Sequence, residues 1–294
     1  MANLQPGIVA LGVRAHHYLE FDLHSPVDPQ RLREIAGDGL GEARVTTGGV
    51  NVVVGFRRAV WEQIGSVPAD LVDFADLTGP DGFTMPATQH DVWVWISGAT
   101  TDTVFDAARA VSAAFASIAS IAAERPAFTY RDSRDLSGFV DGTENPPVTE
   151  VPGLLAVPEG QPGAGGTIAF VQRWIHDLGA FHAHPIDEQE QMIGRTKLTD
   201  EELADDVRPA SSHVSRTVIE DEHGEELEIF RRSTPYGDVA ECGLMFVAFT
   251  PEVGRVNAML DNMVGTDGIR DAITQWSTPV SGGYYFVPAL QDLG

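Results

Sequence analysis

The sequence predicts an α+β protein built from two ferredoxin-like units. Short apolar runs rich in β-branched residues indicate strands, and one long run with a period of three to four indicates a helix. These elements follow the order β-α-β-β-α-β, and the order repeats after a Pro- and Gly-rich break near residues 140–165. We therefore expect one unit at residues 1–140 and a second at residues 141–294.

The first predicted strands and helix of the first unit are bounded by glycines. Apolar runs at 7–14 and 49–56 predict strands, and residues 28–37, which open with Asp-Pro and close with Gly, predict a helix between them. Residues 91–98 alternate Val and Ile against Trp, which predicts a strand buried on both faces. An extended pattern resumes at residues 127–132.

The strongest helical pattern covers residues 102–123. Its apolar residues recur at spacings of three and four, which places them on one face of a helix. The predicted stripe consists of Val104, Phe105, Ala108, Val111, Phe115, Ile118 and Ala122.

The second unit contains a predicted hairpin with charged residues. Residues 213–219 and 226–233 read as its strands, and a turn centred on Glu222 joins them. His213 and Arg231 each lie nine positions from Glu222, so antiparallel pairing would bring them to the same end. The other predicted elements are helices at 187–197 and 251–265 and strands at 167–175, 243–250 and 282–288.

Composition excludes several classes of function. The chain has 294 residues, with 43 acidic against 19 basic residues and a net charge of −24. Such a charge repels nucleic acid and anionic membranes, so neither is expected as a partner. Cys242 is the only cysteine, which rules out an intrachain disulfide and a cysteine-based metal site. The first residues carry no basic signal-peptide region, so we expect a cytoplasmic protein.

The stretch SGFVDGTENP places Asp141 on a tight turn between two glycines. The spacing of its acidic and amide groups does not match a calcium loop. Taken alone, the pattern favours a structural turn or cap, although the glycines would also let the backbone approach a flat ligand closely.

Histidines offer a second candidate site. His176, His182 and His184 are close in sequence, and a mononuclear metal site of a hydrolase is one interpretation. No nearby acid is clearly placed as a fourth ligand, so ordinary core or surface histidines are favoured there. His213 lies among small residues, which leave room for a bulky ligand beside the imidazole.

Four segments in this order and spacing resemble the dye-decolourising peroxidases, in particular their bacterial B-type branch. They are GFVDGTENP, IGRTKL, SHVSRTVI and FRRSTPYG, and the resemblance extends over nearly the whole chain. It implies the dimeric α+β barrel fold of that family and a bound haem b (heme b, iron protoporphyrin IX). It also implies a peroxidase that reduces hydrogen peroxide and oxidises small organic donors such as dyes and phenolics, in a homo-oligomer.

The same resemblance implies a role for each matching residue. His213 would be the proximal iron ligand, Asp141 and Arg231 the distal pair, and Arg195 a partner of a haem propionate. A neutral imidazole leaves the opposite face of the iron open to peroxide. A carboxylate within reach can move a proton between the two peroxide oxygens, and a guanidinium stabilises the negative charge that develops.

The chain departs from the family pattern at two positions near the proposed site. Ser233 stands where many relatives have Asn, and a hydroxyl there can still orient a distal water. Gln275-Trp276 stands where many relatives have Asp-Phe. If that Asp holds the proximal histidine, its absence should weaken the imidazole as a donor and raise the iron potential. The tail that packs some relatives into protein shells is also missing, so an encapsulating shell is not predicted.

Two questions about function remain open at the level of sequence. A non-catalytic haem-binding or haem-handling protein would use His213 and Arg195 without needing Asp141 or Arg231. Donors too large for the pocket would need oxidisable residues as a surface relay, although buried core aromatics are the favoured interpretation of these side chains. The relay candidates are Tyr130, Trp174, Trp276, Tyr284 and Tyr285.

Overall fold

The computed structural model describes residues 4–24, 27–40, 49–220, 223–224 and 226–293. It confirms the predicted α+β class with two ferredoxin-like units. Ten strands form one antiparallel sheet, in which eight follow the order β6-β1-β5-β2-β12-β7-β10-β8. Strand β11 pairs with β7 and strand β9 with β10, and β3 and β4 form a separate two-stranded sheet.

The strands have the following bounds: β1 Ala15–Leu23, β2 Asn51–Phe56, β3 Leu77–Thr78, β4 Thr84–Met85, β5 Val92–Gly98, β6 Ala119–Phe128, β7 Thr167–His176, β8 Phe230–Arg231, β9 Thr234–Gly237, β10 Cys242–Thr250, β11 Ser277–Pro279 and β12 Gly283–Val287. The helices are α1 Pro29–Leu40, α2 Arg58–Trp61, α3 Thr101–Phe115, α4 Val151–Leu155, α5 Leu178–Ala183, α6 Ile186–Ile193, α7 His213–Thr217 and α8 Val253–Met263. Within the described residues, none of these helices is long and apolar enough to cross a membrane.

The two units have the same strand order. In each, the first strand lies between the last and the third, as β1 does between β6 and β5, and β7 between β12 and β10. The units meet where β12 pairs with β2 at Phe286 and Phe56. The fully buried amide of Gln5 reinforces this short junction, since it bonds the backbone N–H and C=O of Val54 and the C=O of Pro288.

The sheet curls into a nearly closed barrel. Its ends approach where the guanidinium of Arg125 on β6 lies 5.1 Å from the ring centroid of Tyr236 on β9. Alternate side chains consequently form two cores. One fills the barrel and includes Tyr18, Trp93 and Trp95, and the other lies beneath the helices that cover the outer face. Both faces of β5 are buried, as its alternating sequence predicts.

The predicted first strand at 7–14 is wrong. Pro6–Val9 form a 3-10 turn and β1 starts only at Ala15. The run is apolar because Ile8 packs into the barrel core rather than because it lies in a sheet.

The predicted helix at 102–123 is too long. Helix α3 ends at Phe115, and β6 begins at Ala119 because residues 119–128 pair with β1 along an edge of the sheet. The stripe is correct at Val104, Ala108, Val111 and Phe115, which are buried, but Phe105 is exposed.

The predicted hairpin with His213 on a strand is also wrong. Ser212 caps the short helix α7, which begins at His213, and β8 pairs with β10 instead. Among the described residues, the expected pairing is represented by an isolated bridge between Glu220 and Glu226 and by a 2.8 Å hydrogen bond from the N–H of Leu227 to the C=O of Ile219. Glu222, at the expected turn, lies outside the described residues.

Two phenylalanines on α3 test the helix assignment. Phe115 is 1% exposed and stacks on Phe21 with ring centroids 4.8 Å apart, whereas Phe105 is 51% exposed. We expect Phe115→Ala to lower the free energy of unfolding by about 3–5 kcal/mol, because it leaves a cavity in the core. Phe105→Ala should change it by less than about 0.5 kcal/mol. Urea titration of both variants measures these values, and similar losses would contradict the orientation of α3.

Candidate active site

A cavity that is called here the main pocket lies on the outer face of the second unit's sheet. It occupies about 1480 Å³ including the part open to solvent. Strands β7 and β10 form its floor, helices α7 and α8 one wall, and the loop around Asp141 another. Apolar side chains supply much of the lining, among them Leu244, Phe246, Met259, Leu260, Met263 and Ile273.

The pocket brings together four of the five residues that the sequence predicts as a site. Asp141, Arg195, His213 and Arg231 all line it. Ser233 does not, and its hydroxyl oxygen instead accepts a 3.4 Å hydrogen bond from the backbone N–H of Val247. A role for Ser233 on a distal water therefore stays a prediction that the shape of the pocket does not support.

Glycines shape the turn that carries Asp141. Gly138 and Gly142 have φ of +93° and +83°, a region that side chains disfavour. A Cβ on Gly138 would lie 2.8 Å from Cε of Lys197, and one on Gly142 would lie 2.9 Å from Nδ2 of Asn145. Both positions thus need glycine for the turn conformation and for close packing.

Asn145 fastens this turn to β8. Its Nδ2 donates to the C=O of Arg231 and its Oδ1 accepts from the N–H of Arg231, both at 2.8 Å. Because the same backbone segment carries the Arg231 side chain, Asn145 holds Asp141 and Arg231 in one region of the pocket. The sequence analysis did not identify this amide, although its place in GTENP close to Asp141 was visible.

The surroundings of Asp141 raise the pKa of its carboxyl group. Burial is the main cause, and the negative charge of Asp135 acts in the same direction. The charge of Arg231 opposes this and favours the ionised form, as a protonated His213 would. A carboxyl group with such opposed influences, held in a cleft, is typical of proton-transfer sites.

Asp271 fixes the orientation of His213. Its Oδ2 lies 2.7 Å from His213 Nδ1, and its Oδ1 accepts from the backbone N–H of Ile273. With Nδ1 donating to this buried carboxylate, Nε2 carries the lone pair that a metal ion requires. The sequence left the hydrogen-bond partner of His213 open, and the structure shows that Asp271, four residues before Gln275, provides a carboxylate.

A second hydrogen-bonded group lines the same pocket. His176 Nδ1 lies 2.7 Å from Ser277 Oγ, and its Nε2 lies 3.1 Å from Asp135 Oδ1. Asp135 in turn accepts from the N–H of Ser137 in the Asp141 loop. This series of hydrogen bonds connects β7 to the loop and sets the position of the negative charge that acts on Asp141.

The three clustered histidines do not converge. His184 Nδ1 lies 2.8 Å from Glu188 Oε2, and His182 Nε2 lies 3.4 Å from the C=O of Ser137, apart from the contacts of His176. The described residues contain no group of three or more His, Cys, Asp or Glu side chains that could hold a metal ion. The hydrolase interpretation thus gains no support from the geometry.

Arg195 lines the pocket but already contacts carboxylates. Its Nη1 donates to Glu144 at 2.7 Å and its Nε to Asp200 at 3.0 Å, and Glu202 lies at 3.6 Å. The side chain of Glu144 is 55% exposed, so it is the partner that another anion could most readily replace. Pairing of Arg195 with a propionate stays a prediction.

Oxidisable aromatics divide between the pocket and the core. Trp174 and Trp276 line the pocket, whereas Tyr284 and Tyr285 are fully buried in the sheet. Tyr130 is only partly exposed. Tyr284 and Tyr285 are therefore core aromatics, whereas Trp174 and Trp276 are buried side chains on the wall of the pocket.

Comparison with known proteins identifies the class of protein. Residues 5–129 match the family model "Dyp-type peroxidase, N-terminal", and residues 132–292 match "Dyp-type peroxidase, C-terminal". The chain is 40% identical over 257 residues to the dye-decolorizing peroxidase of Rhodococcus erythropolis, covering 85% of this chain and 75% of that protein. It is 36% identical over 252 residues to that of Mycobacterium tuberculosis, covering 83% and 75%.

Solved structures give the same result. A structure described as a Dyp-type peroxidase protein from Shewanella oneidensis superposes with a TM-score of 0.93 at 30% identity, covering 100% of this chain and 98% of that one. A DypB variant of Rhodococcus jostii RHA1 in complex with heme superposes with a TM-score of 0.89 at 31% identity, covering 97% and 96%. The chain belongs to the Dyp-type peroxidase family, which confirms the resemblance seen in the sequence.

Removing the Asn145 amide tests how the Asp141 turn is held. Asn145→Ala leaves the backbone groups of Arg231 without these partners, and we expect the free energy of unfolding to fall by about 1–3 kcal/mol. Amide hydrogen exchange in the turn should accelerate. Thr143→Val, which removes an exposed hydroxyl contact to Asp200 from the same turn, is the control and should have little effect. Unchanged exchange in Asn145→Ala would show that other contacts hold the turn.

Proposed function

We propose that the main pocket holds haem b between His213 on one side and Asp141 with Arg231 on the other. The chain is a haem-dependent peroxidase of the dye-decolourising type, with hydrogen peroxide as oxidant. The observation that carries the assignment of residues is the convergence of these three side chains on one cavity. Small organic donors, such as dyes and phenolics, are the proposed reductants.

The residues of the pocket fit this cofactor. His213 presents Nε2 as a ligand because Asp271 engages Nδ1, and the apolar lining suits the faces of a porphyrin. Two buried donors that line the pocket, Gln172 Nε2 and Trp276 Nε1, have no hydrogen-bond partner among the described residues. Such donors are costly unless an acceptor meets them, and haem carries two carboxylates.

The protein's own groups supply proton transfer and charge stabilisation. When bound, haem supplies the redox-active iron and the open coordination position. Ionised Asp141 accepts a proton from one oxygen of hydrogen peroxide at its carboxylate and returns it to the other. Arg231 remains protonated and stabilises the negative charge on the departing oxygen. A haem-handling protein would not need this pair in the pocket, and no observation favours that alternative.

The proposal also includes the bounds of the second unit, the oligomeric state and the charge of the donors. All residues that line the pocket except Asp135, Ser137, Phe139 and Val140 lie at or after position 141, which supports a second unit at 141–294 that holds most of the site. We also propose a cytoplasmic homo-oligomer, for which light scattering on the purified protein provides the test of self-association. The high negative charge favours donors that are neutral or cationic at the protein surface.

Substitution of the distal pair tests the mechanism. We expect Asp141→Ala and Arg231→Leu each to lower the rate constant for reaction with peroxide by about 100-fold or more, since one removes the proton acceptor and the other the charge partner. Stopped-flow absorption of haem-loaded protein measures this rate. Asp106→Asn, an exposed carboxylate on α3, should leave it unchanged. Wild-type rates in both distal variants, at equal haem occupancy, would exclude this mechanism.

The pH dependence follows from the environment of Asp141. Because its pKa is raised above the ordinary 3.8, the ionised base is lost as pH falls through a value higher than that of a free aspartate. We expect the peroxide rate constant to fall with it. Asp135→Asn removes a charge that raises this pKa, so the midpoint should move to lower pH. A rate that stays flat down to about pH 3 in the wild type would contradict the role of Asp141 as a base.

A further inference from the structure

A second cavity opens at one end of the barrel, on the opposite side of the sheet from the main pocket. This barrel-mouth pocket occupies about 890 Å³ including the part open to solvent. Strand β7 borders both cavities, because Gln172 and Trp174 face the main pocket and Arg173 faces the barrel mouth. The mouths of barrels are common places for small ligands.

Aromatic side chains form part of its wall. Tyr18 and Trp93 line it together with Met245. Trp93 is 0% exposed, and its indole Nε1 has no hydrogen-bond partner among the described residues. A buried N–H without an acceptor is unfavourable, and a ligand that enters far enough to reach Trp93 would supply the missing acceptor.

Two arginines in the pocket share one carboxylate. Arg173 Nη1 lies 2.9 Å and Arg125 Nη1 lies 3.9 Å from the same Glu241 oxygen. The buried Nε of Arg125 has no partner in the described part of the chain. The guanidinium pair therefore retains donors and positive charge for an additional anion, and a carboxylate is the planar group that fits a guanidinium fork.

The other charged groups of the barrel-mouth pocket already have partners within the protein, and Glu20 keeps one oxygen atom for a ligand. Glu124 lies 2.7 Å from His17, and His90 lies 2.9 Å from Asp22. Glu20 accepts a hydrogen bond of 2.5 Å from the Tyr285 hydroxyl at one oxygen. Its other oxygen is available as an acceptor for a ligand hydroxyl.

We propose that the barrel-mouth pocket is a second ligand site, which binds a small aromatic acid that carries a hydroxyl group. The carboxylate pairs with Arg125 and Arg173, the ring enters the barrel mouth towards Trp93 and Tyr18, and the hydroxyl donates to Glu20. This site is separate from the main pocket and does not depend on the function proposed for it.

Calorimetric titration of the haem-loaded protein with 4-hydroxybenzoate tests the site. We expect one molecule to bind per chain with a Kd of about 1 mM or tighter, and binding at least about tenfold weaker for phenol, which lacks the carboxylate. Arg125→Gln and Arg173→Gln should each weaken binding about tenfold or more. Arg31→Gln, an exposed arginine on α1, and Arg231→Leu in the main pocket should bind as the wild type does.

The position of the ligand is tested without any substitution. In crystals soaked with 3-bromo-4-hydroxybenzoate, the anomalous signal of bromine should lie in the barrel mouth near Trp93 and the two arginines. A signal confined to the main pocket, or binding that Arg231→Leu abolishes while Arg125→Gln does not, would overturn the proposal. The proposal would also be overturned if the titration gave no heat and the soaked crystals gave no bromine signal. Water would then be the partner of the unpaired donors.

Discussion

The alternation of side chains along β7 and β10 is the constraint on which the rest of this structure depends. Successive residues of a strand face opposite sides, so one pair of strands serves two environments. Trp174 and Phe246 face the main pocket, while Arg173 and Met245 face the barrel. A shift of one residue in register would exchange the two sets and destroy both cavities at once. The extensive pairing of β7 with β10 and β12 opposes such a shift.

Around this sheet, the main pocket is assembled from parts that local structure alone would not bring together. The helix carrying His213 and the 3-10 turn capped by Asp271 come from separate segments, joined by a hydrogen bond between their side chains. The Asp141 turn reaches β8 through Asn145. His213 and the Asp141 turn are thus each held in place by a neighbouring side chain, as a preorganised site requires.

The electrostatics of the pocket follow from the same arrangement. Burial makes ionisation of Asp141 costly, Arg231 reduces that cost, and Asp135 increases it through a charge that His176 holds in place. The pKa of the Asp141 carboxyl group is therefore influenced by residues on three separate elements. Arg195, by contrast, is surrounded by Glu144, Asp200 and Glu202, so its charge is compensated within the protein.

The sequence by itself determined the class of fold and the strands β2, β5, β7, β10 and β12, and its motifs named four residues that line the main pocket. Period-two alternation made β5 recognisable, and the motifs around Asp141, His213 and Arg231 pointed to one site. Tertiary structure decided the positions of residues that no local sequence pattern specifies. Ile8 looks like part of a strand but fills the barrel, and His213 opens a helix because Ser212 caps it there. Asp271 and Asn145 act through partners 58 and 86 residues away, and hydrogen bonds at such separations exist only once the chain has folded.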